Sequence, residues 1–232
     1  MKYKRIVIKL SGEALSGEKG FGLDSGVIND VAEQLIKVKN AGVQVSLVVG
    51  GGNFWRGRQG TNMDRSTADH MGMLATVINA LALQDALEAK GVPTRVQTAL
   101  TITRVAEPYI LRKALDHLDK GRIVIFACGT GNPYFSTDTG AALRSAEINA
   151  GALLLAKNID GIYTSDPKID KNAFKLKRIS YYDYIKLNLK AIDTTAVTMC
   201  MENKIPVITF ALSEKDSILR VVRGEEIGSI IC

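Results

Sequence analysis

With 232 residues, 46% of them apolar, the chain can bury a sizeable core as one compact unit spanning 1–232. Its 30 Lys and Arg exceed 24 Asp and Glu to give a net charge of +6, yet the cations are interspersed with acids rather than gathered into a block, which argues against a nucleic-acid partner and suits a small polyanionic substrate equally well. Apolar runs such as VSLVV and ALLLA fall far short of the roughly 20 residues of a membrane span. No small-residue cleavage site follows the basic N-terminus, and Cys128, Cys200 and Cys232 form neither a disulfide framework nor metal-ligand spacing, so a cytoplasmic protein without membrane contact is expected.

In chain order, short β-branched runs alternate with amphipathic stretches. RIVIKL reads as a strand, Ser25 to Ala41 as a helix, VQVSLVV as a strand, and Ser66 to Lys90 as a long helix in which Met71, Met73 and Leu74 belong to the core. TRVQT, a helical EPYILRKALDHLDKG, RIVIFA, a helix after Asp138 and ALLLA continue the alternation. After an irregular, charged excursion from Asp166 to Tyr184, read as a loop with a short hairpin, come a helical TTAVTMCMENK, PVITFA, a helical EKDSILRVVRG and SIIC. Gly42, Gly91, Gly121 and Gly151 stand where helices should stop. The pattern predicts an α/β fold, a mostly parallel sheet with helices on both faces.

Ligands of such sheets bind at the carboxyl ends of strands, and four unusual stretches lie there: KLSGEALSGEKGFG, GGGNFWRGRQG, CGTGNPYFSTDTGAA and KNIDGIYTSDP. Glycines between a strand and a helix free backbone N–H groups for an anion, so the triplet Gly50, Gly51 and Gly52 predicts a phosphate close to the main chain. Gly12 to Gly17 has the P-loop glycine spacing, but Glu18 replaces the required Lys, so the P-loop is excluded, and the lack of a G-x-G-x-x-G opening a helix after a strand argues against a dinucleotide site. His70 and His117 form no dyad with a nucleophile that spacing supports. Taken singly, Lys9 reads as a solvated strand-end charge, Asp160-Gly161 as a turn and Asp193 as a helix cap.

Taken together, KLSGEAL, VVGGGNFWRG, DHMGMLATVINALALQDAL, GTGNPYFSTDTGAALR, DGIYTSDP and AIDTTAVTMCMENKIPV resemble the bacterial UMP kinase branch of the amino acid kinase family over nearly the whole chain. Ala68 stands where that branch more often carries Gly. The resemblance implies a three-layer α/β/α sandwich, and transfer of the γ-phosphoryl of ATP, with Mg²⁺, to UMP. It places Lys9, Asp138 and Asp193 in catalysis; Lys9, Leu10, Ser11, Gly12, Gly52, Arg56, Asn158, Tyr163 and Asp166 at ATP; and Gly51, Asp69, Thr130, Gly131, Asn132, Pro133, Tyr134, Phe135, Ser136 and Thr137 at UMP. No direct protein ligand to the metal is assigned. It further implies a homohexamer built from dimers, GTP as activator and UTP as inhibitor. Two rivals stay open: another kinase of this fold with a carboxylate or small-phosphate acceptor, and a non-catalytic nucleotide-binding protein.

Overall fold

The computed structural model describes residues 1–56, 62–167 and 169–232; Gly57 to Gly60 of the glycine-rich stretch lie outside the described residues. The first half comprises β1 (Arg5–Leu10), α1 (Ser25–Asn40), β2 (Gln44–Val49), α2 (Arg65–Ala89), β3 (Thr94–Thr98), β4 (Glu107–Pro108), α3 (Leu111–Asp119) and β5 (Ile123–Ala127). The second comprises α4 (Thr137–Glu147), β6 (Ala152–Lys157), β7 (Ile162–Tyr163), β8 (Lys175–Leu176), β9 (Arg178–Ile179), α5 (Tyr181–Lys186), α6 (Thr194–Glu202), β10 (Val207–Ala211), α7 (Ser217–Arg223) and β11 (Ser229–Ile231). Among the described residues nine strands form one sheet in the order β4-β3-β5-β2-β1-β6-β10-β11-β9, parallel except where β11 runs against β10.

Strand alternation divides the core into two layers. Ile6, Ile8 and Leu10 of β1 pack with Leu35 of α1, Leu83 of α2 and Ile218 of α7, whereas Val7 packs with Leu118 of α3, Ala141 of α4 and Val197 of α6. Lys9 shares the face of Val7 by the same count, and on β6 Lys157 shares the face of Leu153 and Leu155. The chain leaves β1 for β2 on one side and later returns through β6 on the other. This reversal of strand order is the crevice where ligands of open α/β sheets bind, and Lys9 stands at its carboxyl edge.

Three helix stops are as the sequence predicts: Gly42, Gly91 and Gly121 adopt φ of 84°, 77° and 69° behind α1, α2 and α3. Behind α4 the left-handed position belongs instead to Asn149 at φ 53°, since Asn tolerates that conformation, and Gly151 already leads into β6 with its N–H on the Arg5 carbonyl at 2.8 Å. Glu107 and Pro108 do not start a helix but form β4 at the sheet edge, opposite Gln97 and Thr98, a place where a residue lacking N–H is tolerated. Leu74 is not core: it is 50% exposed, while Met73 is buried. The excursion holds the expected hairpin, which starts earlier than the sequence suggested, at β7, and closes with β9 on the main sheet and helix α5. Among the described residues no helix is long and apolar enough to cross a membrane.

Candidate active site

After β1, Ser11 caps a short 3-10 turn, Gly12–Leu15, accepting from the Ala14 N–H at 3.3 Å. After β2 the glycines press directly on neighbouring protein. A Cβ at Gly51 would lie 2.7 Å from the Gly72 carbonyl and 2.8 Å from Ala75 Cβ, inside helix α2, and one at Gly50 would meet the Gly12 nitrogen at 3.0 Å. At Gly52 the nearest atom is Glu13 Oε1 at 3.6 Å, an ordinary contact. The triplet is therefore required first by the packing of this turn on α2 and on the β1 loop, and only Gly52 leaves room for a guest. A buried amide pair fixes the turn: Asn79 Nδ2 donates to the Gly50 carbonyl at 2.6 Å and to Asn53 Oδ1 at 2.8 Å, and Asn53 Nδ2 donates to the Gly22 carbonyl at 2.7 Å. Neither Asn stood out in the sequence, because a polar residue within an apolar helix reveals its partner only once α2 lies against the turn.

Beyond β5 the backbone turns through Cys128 at φ 66° and Tyr134 at φ 72°, left-handed conformations that cost non-glycine residues energy and cluster at functional loops. The Cys128 N–H is held by Thr76 Oγ1 at 2.7 Å and the Tyr134 N–H by Asp69 Oδ2 at 2.8 Å, so α2 shapes this loop twice. Between α2 and the loop lies a cavity of about 280 Å³ lined by Gly51, Asp69, Thr130, Asn132, Phe135, Ser136 and Thr137. Gly131, Pro133 and Tyr134, expected with them, are not among its lining residues, whereas Gly52, expected on the other side, is. Trp55, Gly72 and Thr76 line it without having been singled out, and so does Met73, expected in the core alone; Trp55 anchors the wall by donating from Nε1 to the Ala68 carbonyl at 2.8 Å.

A second cavity of about 810 Å³ opens at the ends of β1 and β6, lined among others by Lys9, Ser11, Glu13, Lys157, Asn158, Tyr163 and Asp166. Lys9 of this cavity meets a residue from the edge of the smaller one: its Nζ lies 2.9 Å from Asp138 Oδ1, with the side chains only 13% and 15% exposed. Lys9 is thus no solvated strand-end charge. Asp138 follows Thr137 of the smaller cavity in the first turn of α4, where the helix dipole favours a carboxylate. Asp193 does cap α6, accepting from the Ala196 N–H at 2.8 Å, and it also accepts from Ser136 Oγ and, at 3.1 Å, from Thr139 Oγ1, which ties the starts of α6 and α4 together. Lys157 Nζ donates to the Ala191 carbonyl. Burial draws its ammonium below the ordinary lysine range, Asp138 and Asp193 oppose this, and Lys9 adds to it.

Other expected residues stand elsewhere. Leu10 is fully buried in the core with its carbonyl on the Gly50 N–H at 2.8 Å, so it frames the larger cavity without lining it. Arg56 pairs at the half-exposed surface with Glu13 at 2.7 Å. Tyr163 donates to Asp160 Oδ1 at 2.9 Å. Among the described residues no nucleophilic dyad arises: burial pushes the Cys200 thiol up to about 12, and His117 is held between Glu107 at 2.9 Å and Arg122 at 3.0 Å. Among the described residues no group of three or more metal-ligating side chains comes together. Magnesium takes oxygen donors and keeps waters, and Asp138, beside Lys9, is a carboxylate of the kind it accepts.

The description "Amino acid kinase family" belongs to the family model that matches residues 4–211. Among solved structures, a UMP kinase from Bacillus anthracis superposes with a TM-score of 0.96 at 37% identity, covering 100% of this chain and 96% of its own. A UMP kinase from Ureaplasma parvum follows at 0.93 and 39%, covering 100% and 99%. A uridylate kinase from Archaeoglobus fulgidus reaches 0.74 at 27%, covering 98% and 99%. With its nine-stranded, mostly parallel sheet between two helical layers and a match over nearly its full length, the chain belongs to the amino acid kinase family.

Proposed function

We propose that the chain moves the γ-phosphoryl of ATP onto UMP, giving ADP and UDP. The observation that carries this is the Lys9–Asp138 pair at the switch point of the sheet, which joins a residue of the larger cavity to the first turn of α4, whose Thr137 lines the smaller one. The larger volume suits a nucleoside triphosphate and the smaller a monophosphate, and the two most similar structures named above are UMP kinases.

A phosphate monoester is largely ionised near pH 7, so the attacking oxygen needs no general base, and a site without an active His or Cys is adequate. What the protein must do is hold two like-charged phosphates in line and spread the charge of a loose transition state. Lys9, paired with Asp138 and largely shielded from water, is the fixed cation for the transferring group, and the backbone N–H groups of Ser11, Gly12 and Gly52 are assigned to assist it at the phosphates. Asp138 and Asp193 hold the geometry of the starts of α4 and α6. Magnesium, carried in with ATP, supplies charge neutralisation at the phosphate oxygens. Arg56 can exchange its weak surface partner Glu13 for a phosphate. Asn158, Tyr163 and Asp166 bound the adenosine side; Asp69, whose Oδ2 is already engaged by Tyr134, turns its remaining acceptor capacity to the ribose of UMP.

The same reading takes residues 1–232 as one functional unit, located in the cytoplasm, assembled as a homohexamer and responsive to GTP and UTP, on the strength of the family resemblance. Mixing the purified protein with ATP, magnesium and in turn UMP, CMP or aspartate, and following ADP, tests the activity. ADP formation with UMP is expected; ADP with aspartate instead, or tight ATP binding without turnover, would select one of the two rivals.

A further inference from the structure

We propose that Lys157 is a second phosphate-directed cation of the larger cavity, reaching the triphosphate from β6 as Lys9 does from β1. This rests on the reading that the larger cavity takes ATP.

Parallel pairing sets Leu10 opposite Ala156, so Lys157 lies one step further, beside Ser11, on the face it shares with Lys9. Both lysines line the same cavity. Their compensation differs. Lys9 has a carboxylate at 2.9 Å, whereas Lys157 donates to a neutral carbonyl, that of Ala191, and among the described residues it makes no ion pair. An ammonium carries three donors and is costly to withdraw from water without an anion. If holding residues 187–191 against β6 were the whole task, a neutral donor would serve at lower cost. The surviving charge, facing an open volume next to Lys9, fits a polyanionic guest that completes the pairing when it binds. Burial lowers the affinity of this ammonium for its proton, and the carboxylates of Asp138 and Asp193 oppose that lowering without cancelling it.

The test uses Lys157→Gln, which keeps a long side chain with an N–H donor for Ala191 but removes the charge, and Lys157→Arg, which restores it. Affinities for adenosine and for ATP, measured by calorimetry, should separate: about tenfold or more lost for ATP in Lys157→Gln, little for adenosine, and partial recovery in Lys157→Arg. Equal losses for both ligands would show a purely structural residue, and no loss would remove the role; either overturns the proposal. Should the variants fold poorly, acylation of the wild-type protein read by peptide mass spectrometry gives the same answer. ATP but not adenosine should shield Lys157, and equal shielding, or none, refutes it. If wild-type protein forms no ADP with UMP yet Lys157→Gln still separates ATP from adenosine, the kinase reading falls and the cation stands. If wild type turns over and Lys157→Gln matches it in affinity and kcat, only the cation falls.

Discussion

Three residues show how differently the same site can be damaged. Lys9 lines the larger cavity and pairs with Asp138, so Lys9→Ala removes a charge at the cavity wall; kcat should fall on the order of 10² to 10³ with the fold kept, and near-normal turnover would reject its place at the transferring phosphate. Gly51 is the opposite case. A methyl there collides with the Gly72 carbonyl at 2.7 Å and must push α2 away from β2, so Gly51→Ala should cost about 1–3 kcal/mol in denaturant unfolding, whereas Gly52→Ala, with 3.6 Å of clearance, should fold as wild type and be impaired in turnover alone. Equal stability of the two variants would contradict the packing account of the triplet. Lys157 binds protons less readily in the folded chain than its ordinary value of 10.5, so the unfolded chain holds more protons just below that pH and stability attributable to this residue rises with pH there. Compared with Lys157→Met by thermal melts, wild type should gain relative stability as pH climbs toward 10.5; a gap that stays constant means the burial penalty is absent.

At the scale of elements, α4 and α6 begin side by side, and Asp193 serves both: it caps α6 and binds Ser136 and Thr139 at the start of α4. Its structural and electrostatic duties can be separated. Asp193→Asn keeps acceptor oxygen for the cap and should be close to wild type in stability, while Asp193→Ala should lose about 0.5–2 kcal/mol; if activity falls in the alanine variant only, Asp193 positions helices and does nothing more, and if both lose activity its charge matters to the reaction. That Asp193 caps a helix was legible from Asp-Thr-Thr alone, as were most strands, because β-branched runs of five or six residues carry their own period. The two-residue strands β4, β7, β8 and β9 were not, since nothing so short has a period and each exists only through its partner. The Lys9–Asp138 pair was legible as two candidates but not as a contact: their meeting depends on β1 lying beside β2 with α4 across its face, an arrangement set by sheet order rather than by local sequence. The packing demand on Gly51 was not legible for the same reason, because α2, the element that crowds it, comes from beyond the loop.

For the whole molecule, the informative surface is the outer face of α2. A surface helix normally turns polar residues to water, yet Leu74 and Ile78, one turn apart, are 50% and 45% exposed on a helix whose other faces are already spent on the core and the smaller cavity. Apolar residues at that spacing lie on one stripe, and such a stripe can meet its own copy across a two-fold axis, the symmetry from which a hexamer of dimers is built. Because these side chains make up exposed surface rather than core, replacing both with Arg should leave the monomer fold within about 0.5 kcal/mol of wild type. Light scattering on the wild-type protein should then give about six times the 25.1 kDa chain mass, and Leu74→Arg with Ile78→Arg should reduce it to a smaller assembly with an unchanged circular dichroism spectrum. A wild-type protein that runs as a monomer, or a double variant that keeps the full mass, would show that this face of α2 is not what joins the subunits. The residues that line the smaller cavity come from the same helix, so the smaller assembly should also show a raised KM for UMP if subunit contact steadies α2 against the Thr130 loop.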